Sequence, residues 1–350
     1  MKNLCLITLF LVSFPDVSSQ PARNIVLKLT HEPRENAFTV LVPQGWMGEG
    51  GIYRIDPTMA GGSGNAIDAK NDFTIKRDAS GTVMMRWLPD YYYFDMSGSP
   101  AGQMGLFPVG SNYNGITVLP KMNAQTFIFQ VVIPYVHPGM VNYQVIDRKN
   151  IPRLAELLRS IDQAGGLNCM YDAAVVTITF MEKNIQYQET YVSAIQDFGQ
   201  LGAGLWKNRY TLFARAPGSE YASWDPLFQE IQSSVKINMT WLMKEMQGQV
   251  RRGEIAAETL RTLQQMDKEI TQSRQKINAE INNDMFLTLT SQEEYVNPYT
   301  SEVEVGSNQW KHRWVNQSGD VIYSDDDNYN PDLDPVLNRS DFRKTPVRKR

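Results

Sequence analysis

The sequence predicts an α+β protein, in which an antiparallel sheet flanked by helices is followed by a long helical segment and a small C-terminal β-meander. Residues 210–215 alternate at strand period, and after a break at residues 216–219 large apolar side chains recur at helical spacing. Residues 175–195 hold the clearest alternation, in two runs joined by a polar turn. Residues 239–285 are rich in charge and carry apolar side chains at seven-residue spacing, which is typical of a helix.

Length and charge limit the classes of protein to consider. The chain has 350 residues and a net charge of −4. This length suits one large globular domain with additions, or two domains. General nucleic-acid binding needs a basic surface, so the weak acidity argues against a nucleic-acid partner.

Residues 1–19 have the order of a secretory signal peptide. Lys2 precedes an apolar run at residues 4–14, and small residues stand at positions 17–19. We therefore expect cleavage before Gln20 and a secreted or periplasmic protein. The run is too short for a stable transmembrane helix, and no later stretch reaches the roughly 20 apolar residues of a span. An uncleaved anchor is the alternative.

Cysteine use predicts a fold without a disulfide. Cleavage of the leader would remove Cys5 and leave Cys169 as the one cysteine. No His is close in the sequence to activate Cys169. We interpret it as a small, half-buried apolar residue rather than a nucleophile.

Residues 20–238 are predicted to form the main domain. It opens with short strands at residues 25–29, 38–42 and 52–55. A Gly cluster at residues 60–65 is followed neither by a Lys-Ser/Thr pair nor by a helix. We interpret this cluster as a flexible loop rather than a phosphate-binding loop.

An insertion at about residues 88–150 lengthens this domain. Residues 122–136 within it fit both a strand and a helix, and we favour a helix that starts near Asn123 and ends at Pro134. Residues 141–146 are predicted to be a strand.

The first part of the insertion, residues 91–113, is a long loop rich in aromatic residues. Long loops without regular structure are often functional, and Tyr and Phe suit a binding surface. The alternative is that the rings hold the loop onto the core. As a partner-binding site we expect two or three of the rings to be exposed. The candidate residues are Tyr91, Tyr92, Tyr93, Phe94, Phe107 and Tyr113.

Parts of this domain resemble the PsbP-like fold, named for the extrinsic protein of the photosystem oxygen-evolving complex. Residues 38–46 resemble its opening strand, and residues 210–213, 216–217 and 233–235 resemble its end. The resemblance covers about residues 37–238 and implies a central antiparallel sheet covered by helices, with a non-enzymatic adaptor or assembly role. It carries over no metal or contact residues. The whole chain also resembles a group of secreted bacterial proteins, which implies no activity.

Residues 239–285 are predicted to be helical and to form a weak coiled coil. Gly248 and Gly253 divide the segment into a short helix and a longer one at residues 256–282. The longer helix has a single narrow apolar stripe. It is predicted either to pack along the domain or to pair with a second copy of the chain as a homodimer.

Residues 286–338 are predicted to be a small three-strand meander with an acidic turn, too small to hold a core alone. Its Trp310 and Trp314 form a second candidate surface for a partner. The basic tail, residues 339–350, is predicted to be disordered.

The acidic turn is the candidate metal site. Oxygen-bearing side chains alternate there, and Ca²⁺ favours many hard oxygen ligands. Pro331 stands where an EF-hand loop requires Gly, and the bidentate Glu is missing, so the alternative is a solvated acidic turn. The candidate ligands are Asp326, Asn328, Asn330, Asp332 and Asp334.

No catalytic motif stands out. The three His share no spacing with one another or with carboxylates, and no HExxH, GxSxG or cysteine pair occurs. We therefore predict an exported, non-enzymatic binding or assembly module of the cell envelope, without a cofactor, whose partner is a protein or an envelope component. The alternative is a secreted hydrolase with a site under the loop of residues 91–113, using His137 with a nearby carboxylate.

Overall fold

A computed structural model describes residues 24–253 and 292–348, except residues 63, 106, 165 and 338. The predicted leader at residues 1–19 and the predicted helix at residues 256–282, with its pairing between chains, lie outside the described residues.

The described chain is a mixed α+β fold built mostly from antiparallel strands, as predicted. Its helices are α1 (Pro100–Gln103), α2 (Ala124–Phe127), α3 (Ile133–Val136), α4 (Pro152–Ala164), α5 (Tyr221–Ser233) and α6 (Met239–Gly253). Its strands are β1 (Ile25–His31), β2 (Phe38–Pro43), β3 (Met47–Tyr53), β4 (Lys70–Lys76), β5 (Met84–Trp87), β6 (Tyr92–Phe94), β7 (Asn112–Tyr113), β8 (Ile116–Val118), β9 (Tyr143–Asn150), β10 (Met170–Glu182), β11 (Ile185–Asp197), β12 (Leu205–Pro217), β13 (Lys236–Ile237), β14 (Gln292–Val296), β15 (Val303–Ser307), β16 (His312–Val315), β17 (Val321–Ser324) and β18 (Arg343–Lys344).

Two sheets organise these strands. The large sheet has the order β3-β4-β5-β12-β11-β10-β9, and the short strands β6, β7 and β8 extend it beside β12. The small sheet has the order β13-β2-β1-β17-β16-β18. Strands β14 and β15 form a separate two-stranded ladder.

The predicted hairpin at residues 175–195 forms part of the large sheet, between β12 and the edge strand β9. β10 and β11 pair over their full length and close through Lys183 and Asn184. Both turn residues have positive φ, 49° and 64°, and two such residues give a turn whose twist matches that of the flanking strands. Local turn chemistry and alternation therefore agree, which is why this hairpin was predictable.

The central strand of the large sheet, β12, is buried on both faces. On one face, Leu212 packs with the small sheet and with Trp224 and Phe228 of α5. On the other face, Phe213 packs with Phe127 and its neighbours in the helical stretch that begins with α2. Alternate residues of β12 thus enter two different cores.

The helix favoured for residues 122–136 is present but does not end at Pro134. Asn123 caps it by accepting a hydrogen bond from the Thr126 N–H at 2.8 Å. A π-helical turn, Ile128–Val132, connects α2 to α3, which continues to Val136. The wider π turn lies just before Pro134, whose ring would clash with the preceding turn of a regular α-helix.

The C-terminal region differs from the predicted three-strand meander. The hairpin β16–β17 joins the small sheet, where Tyr323 pairs with Ile25 of β1, and β14–β15 forms its own ladder.

Residues 339–348 also differ from the expected disorder. β18 pairs with β16, Val347 bridges to Tyr295, and Phe342 is buried beside Trp314. Burial of Phe342 stabilises the tail in this position, although the basic composition of the tail predicted disorder.

The predicted long helical segment is described only as far as Gly253. α6 runs through Gly248 rather than ending before it. It is tied to the N-terminal strands by Trp241, whose indole N–H donates to Glu35 at 2.7 Å, and by Glu245, which pairs with Arg54 at 2.7 Å.

Candidate functional site

The six aromatic residues proposed for the loop at 91–113 do not form one surface. Tyr93 is buried, with its ring stacked on Trp206 at 4.6 Å and edge-on to Phe127 at 5.8 Å. Its position on β6, between β12 and β8, directs it into the core. For Tyr93 the ring therefore serves packing rather than recognition.

Tyr91 and Tyr92 border a buried polar cluster. The Tyr91 hydroxyl shares a hydrogen bond with the Tyr53 hydroxyl at 2.7 Å. The ammonium of Lys207 lies 4.6 Å from the centroid of the Tyr92 ring. Lys70, whose side chain is fully buried, pairs with Asp68 at 2.6 Å. Burial lowers the pKa of Lys70, and Asp68 acts in the opposite direction.

The rings of Phe94, Phe107 and Tyr113 pack together near the surface. Tyr113 lies 5.3 Å from Phe94 and 5.1 Å from Phe107, measured between ring centroids. Of the six candidate residues only Tyr113 is exposed, fewer than the two or three expected.

Larger apolar exposure occurs on this loop and on the loop that it contacts. Val109 and Met104 belong to the same loop, and Met59 belongs to the loop before β4, which Asn112 joins by donating to the Ala60 carbonyl at 2.9 Å. We call this surface the apolar tip, consisting of Met59 (87% exposed), Met104 (71%), Val109 (65%) and Tyr113 (39%). Sequence reasoning missed Met59, because the contact between the two loops leaves no local pattern.

The second candidate surface is mostly internal. Trp314 is buried with Ile322 and Phe342, and Trp310 is half-buried against the Tyr323 ring at 5.0 Å. Trp314 lies on β16, which is between β17 and β18 in the small sheet, and Trp310 precedes this strand.

The acidic turn uses its oxygens for its own backbone. Asp326 accepts from the Asn328 N–H, and Asn330 accepts from the Asp332 N–H. Asp334 accepts from the Tyr329 hydroxyl and from a backbone N–H. Within residues 24–253 and 292–348, no three His, Cys, Asp or Glu side chains gather as a metal site would require.

His137 forms the one described His–Glu pair, with Nε2 at 2.8 Å from the buried carboxylate of Glu189. Tyr191 donates to the same carboxylate oxygen, and Arg215 approaches the other oxygen at 3.8 Å. This pair is not under the loop of residues 91–113.

Strand register gives the separation between the two places. Glu189 and Gln196 are seven residues apart on β11, about 23 Å at the rise of a strand. Gln196 pairs with Lys207, which in turn pairs with Tyr92 at the start of the loop. The loop and His137 therefore lie towards opposite ends of the large sheet.

Cys169 lies in a separate buried cluster below α4. Gln196 donates to its sulfur at 3.4 Å and to Asp162 at 2.5 Å. Burial raises the pKa of the Cys169 thiol, which disfavours the reactive thiolate.

Comparison with known proteins gives a similarity in fold only. No protein-family model and no curated protein sequence matches the chain. The solution structure of cyanobacterial PsbP from Synechocystis sp. PCC 6803 is similar over 65% of this chain and 99% of that chain, with 9% sequence identity and a TM-score of 0.26. A similarity this weak carries no functional argument. None of the helices in the described residues is long and apolar enough to cross a membrane.

Proposed function

We propose that the protein is an exported, non-enzymatic binding or assembly module of the cell envelope, which holds a protein or envelope component through the apolar tip. The supporting observation is the exposure of four large apolar side chains on two adjoining loops. Large apolar side chains exposed together on adjoining loops are typical of an interaction surface.

The loops of the apolar tip are held in place by hydrogen bonds, which supports a preformed surface. The N–H of Gly64 donates to the Asn114 carbonyl at 2.9 Å. The side chain of Asn65 donates to the carbonyls of Tyr92 and Gly115 at 3.0 and 3.2 Å. A surface that is ordered before binding loses less conformational entropy when a partner binds.

A matched pair of variants tests this proposal. Val109→Asp places a charge in the apolar tip, and Val141→Asp places the same charge at another exposed valine, just before β9 (65% and 82% exposed). Cross-linking of each purified variant in an envelope extract, with a melting temperature for each, reports binding and folding separately. We expect Val109→Asp alone to lose a specific cross-linked product. Equal products from both variants and the wild-type protein would overturn the proposal.

The hydrolase alternative depends on the His137–Glu189 pair. A carboxylate that orients a His is one part of a nucleophile–base–acid arrangement. The described contacts of His137 include Glu189 and the Phe180 ring but no Ser, Thr or Cys side chain. Hydrolysis of model esters that is abolished by His137→Ala, in a variant with unchanged melting temperature, would favour this alternative.

Export and self-association remain separate proposals. N-terminal sequencing should find Gln20 as the first residue of the mature protein, and Met1 on envelope-bound protein would indicate an anchor instead. Sedimentation of the intact protein and of a variant lacking residues 256–282 tests the homodimer. A monomer in both cases would exclude pairing through that segment.

A further inference from the structure

A cavity of about 420 Å³ lies at one end of the small sheet. It is lined by the start of β1, by the turn after β2, by α5 and by the acidic turn, so four distant parts of the chain contribute. Its volume falls in the range of about 300–1,000 Å³ that is common for small-molecule sites. Neither the apolar tip nor the His137–Glu189 pair contributes to its lining.

Aromatic rings form two sides of the cavity. Trp46 and Trp224 lie 5.9 Å apart between centroids with their planes at 59°, so they meet as a corner. Tyr329 also lines the cavity and is held edge-on against Trp314 at 5.4 Å. Faces of indole and phenol rings attract cations, because the ring quadrupole is negative above the plane.

A carboxylate completes the lining. Asp334 accepts hydrogen bonds from the backbone N–H of Val336 and from the Tyr329 hydroxyl, both at 2.9 Å. The Val336 N–H, with the Tyr329 hydroxyl, lowers the pKa of Asp334, so this group is ionised at neutral pH.

Positive charge lies outside the described lining rather than within it. The described lining contains no Lys or Arg side chain. Arg77, which is outside the lining, places its guanidinium 5.2 Å from the Trp224 centroid, so this ring already accepts a cation against it.

We propose that this cavity binds a small organic cation of the alkylammonium class. The Trp46–Trp224 corner would contact the charged, alkylated nitrogen, and Asp334 would supply the opposite charge. Apolar neighbours such as Ile25 and Leu227 would contact the alkyl groups. A neutral sugar could stack on the rings and donate hydroxyl hydrogen bonds to Asp334 but would bring no opposite charge, and a bare metal ion would use neither indole. This proposal does not depend on the function proposed for the apolar tip.

The test compares two ligands of the same shape on the intact mature protein. Choline and its neutral isostere 3,3-dimethylbutan-1-ol are titrated by calorimetry and by ligand-observed NMR, with glucose as a third probe. We expect choline to bind about tenfold more tightly than the isostere, since the cation–π contact and the charge pair with Asp334 each contribute a factor of about two to five. Equal affinities, binding of glucose in place of choline, or no binding of choline would each overturn the proposal.

Variants then assign the site. Asp334→Asn should weaken choline binding about fivefold and leave the isostere unchanged, because a partly exposed charge pair contributes about that much. Asp332→Asn is the matched control, since Asp332 is exposed on the same turn and does not line the cavity. Equal weakening by both variants would indicate general attraction to the acidic turn and would refute the site. If Asp334→Asn does not fold, the comparison of choline with its isostere on the wild-type protein still tests the proposal.

Discussion

Glu32 should be one of the strongest stabilising residues of the N-terminal region, although it is a carboxylate. Its side chain is 2% exposed and accepts four backbone hydrogen bonds. The donors are the N–H groups of Arg34 at 3.0 Å, Glu35 at 2.7 Å, Ala37 at 3.2 Å and Ile52 at 2.9 Å. These bonds fasten the turn between β1 and β2 to β3.

The loss in free energy of unfolding on removing this carboxylate depends on which of the four N–H donors can be hydrated instead. Arg34 is exposed and Glu35 is half-buried, so their N–H groups can be hydrated in Glu32→Ala. Ala37 and Ile52 are buried, and each unpaired N–H costs about 1–3 kcal/mol. We therefore expect Glu32→Ala to lower the free energy of unfolding by about 4 kcal/mol. Glu32→Gln keeps one acceptor oxygen and should lose about half as much.

The effect should depend on pH in a defined direction. Burial alone would raise the pKa of Glu32, but the four N–H donors outweigh it and the pKa lies below its usual value. The carboxylate therefore stabilises the fold fully above the pKa of the unfolded chain, about 4.3, and this contribution is lost as pH falls through the folded pKa. The difference between wild-type protein and Glu32→Gln should shrink accordingly in acid.

Urea unfolding at pH 7 and at steps down to about pH 3 measures both quantities. Glu49→Ala is the control, because Glu49 is an exposed glutamate on β3 that pairs with Lys76, and it should cost less than about 1 kcal/mol. Equal losses at Glu32 and Glu49, or a Glu32→Gln difference that is unchanged by pH, would refute the reasoning.

Three further predictions concern buried groups. Tyr93→Ala should lower the free energy of unfolding by about 3–4 kcal/mol and Tyr113→Ala by less than about 1 kcal/mol, measured by urea denaturation, because only Tyr93 is in the core. Burial raises the pKa of Glu230, so its ionisation costs stability as pH rises above the pKa of the unfolded chain. Glu230→Gln should therefore gain stability relative to the wild-type protein between pH 4 and 8. A difference in free energy of unfolding that stays constant over this range would contradict the prediction. Cys169 should react with a thiol reagent slowly in native buffer and rapidly in urea, and comparable rates would show that it is accessible.

Much of the large sheet and its helices could be predicted from local patterns. The β10–β11 hairpin and the helix beginning after Asn123 each combine a period of burial with a turn or cap encoded in adjacent residues. α5 has the burial period, but its N-cap residue Glu220 makes no side-chain capping hydrogen bond. Sites were less predictable. The six aromatic residues of one loop share a composition, but Tyr93 enters the core and Tyr113 reaches the surface, because β6 pairs with β12 on a register that no local pattern specifies.

By itself the sequence determined the α+β class, the strands on either side of Lys183 and Asn184, and the helix that carries Trp224. Only the tertiary structure decided that β17 pairs with β1, that Glu32 meets the N–H of Ile52, and that the acidic turn faces Trp46 across a cavity. The physical reason is that periodicity records whether a side chain is buried, whereas the identity of its neighbour depends on which strand edge and which apolar surface remain free when the whole chain packs.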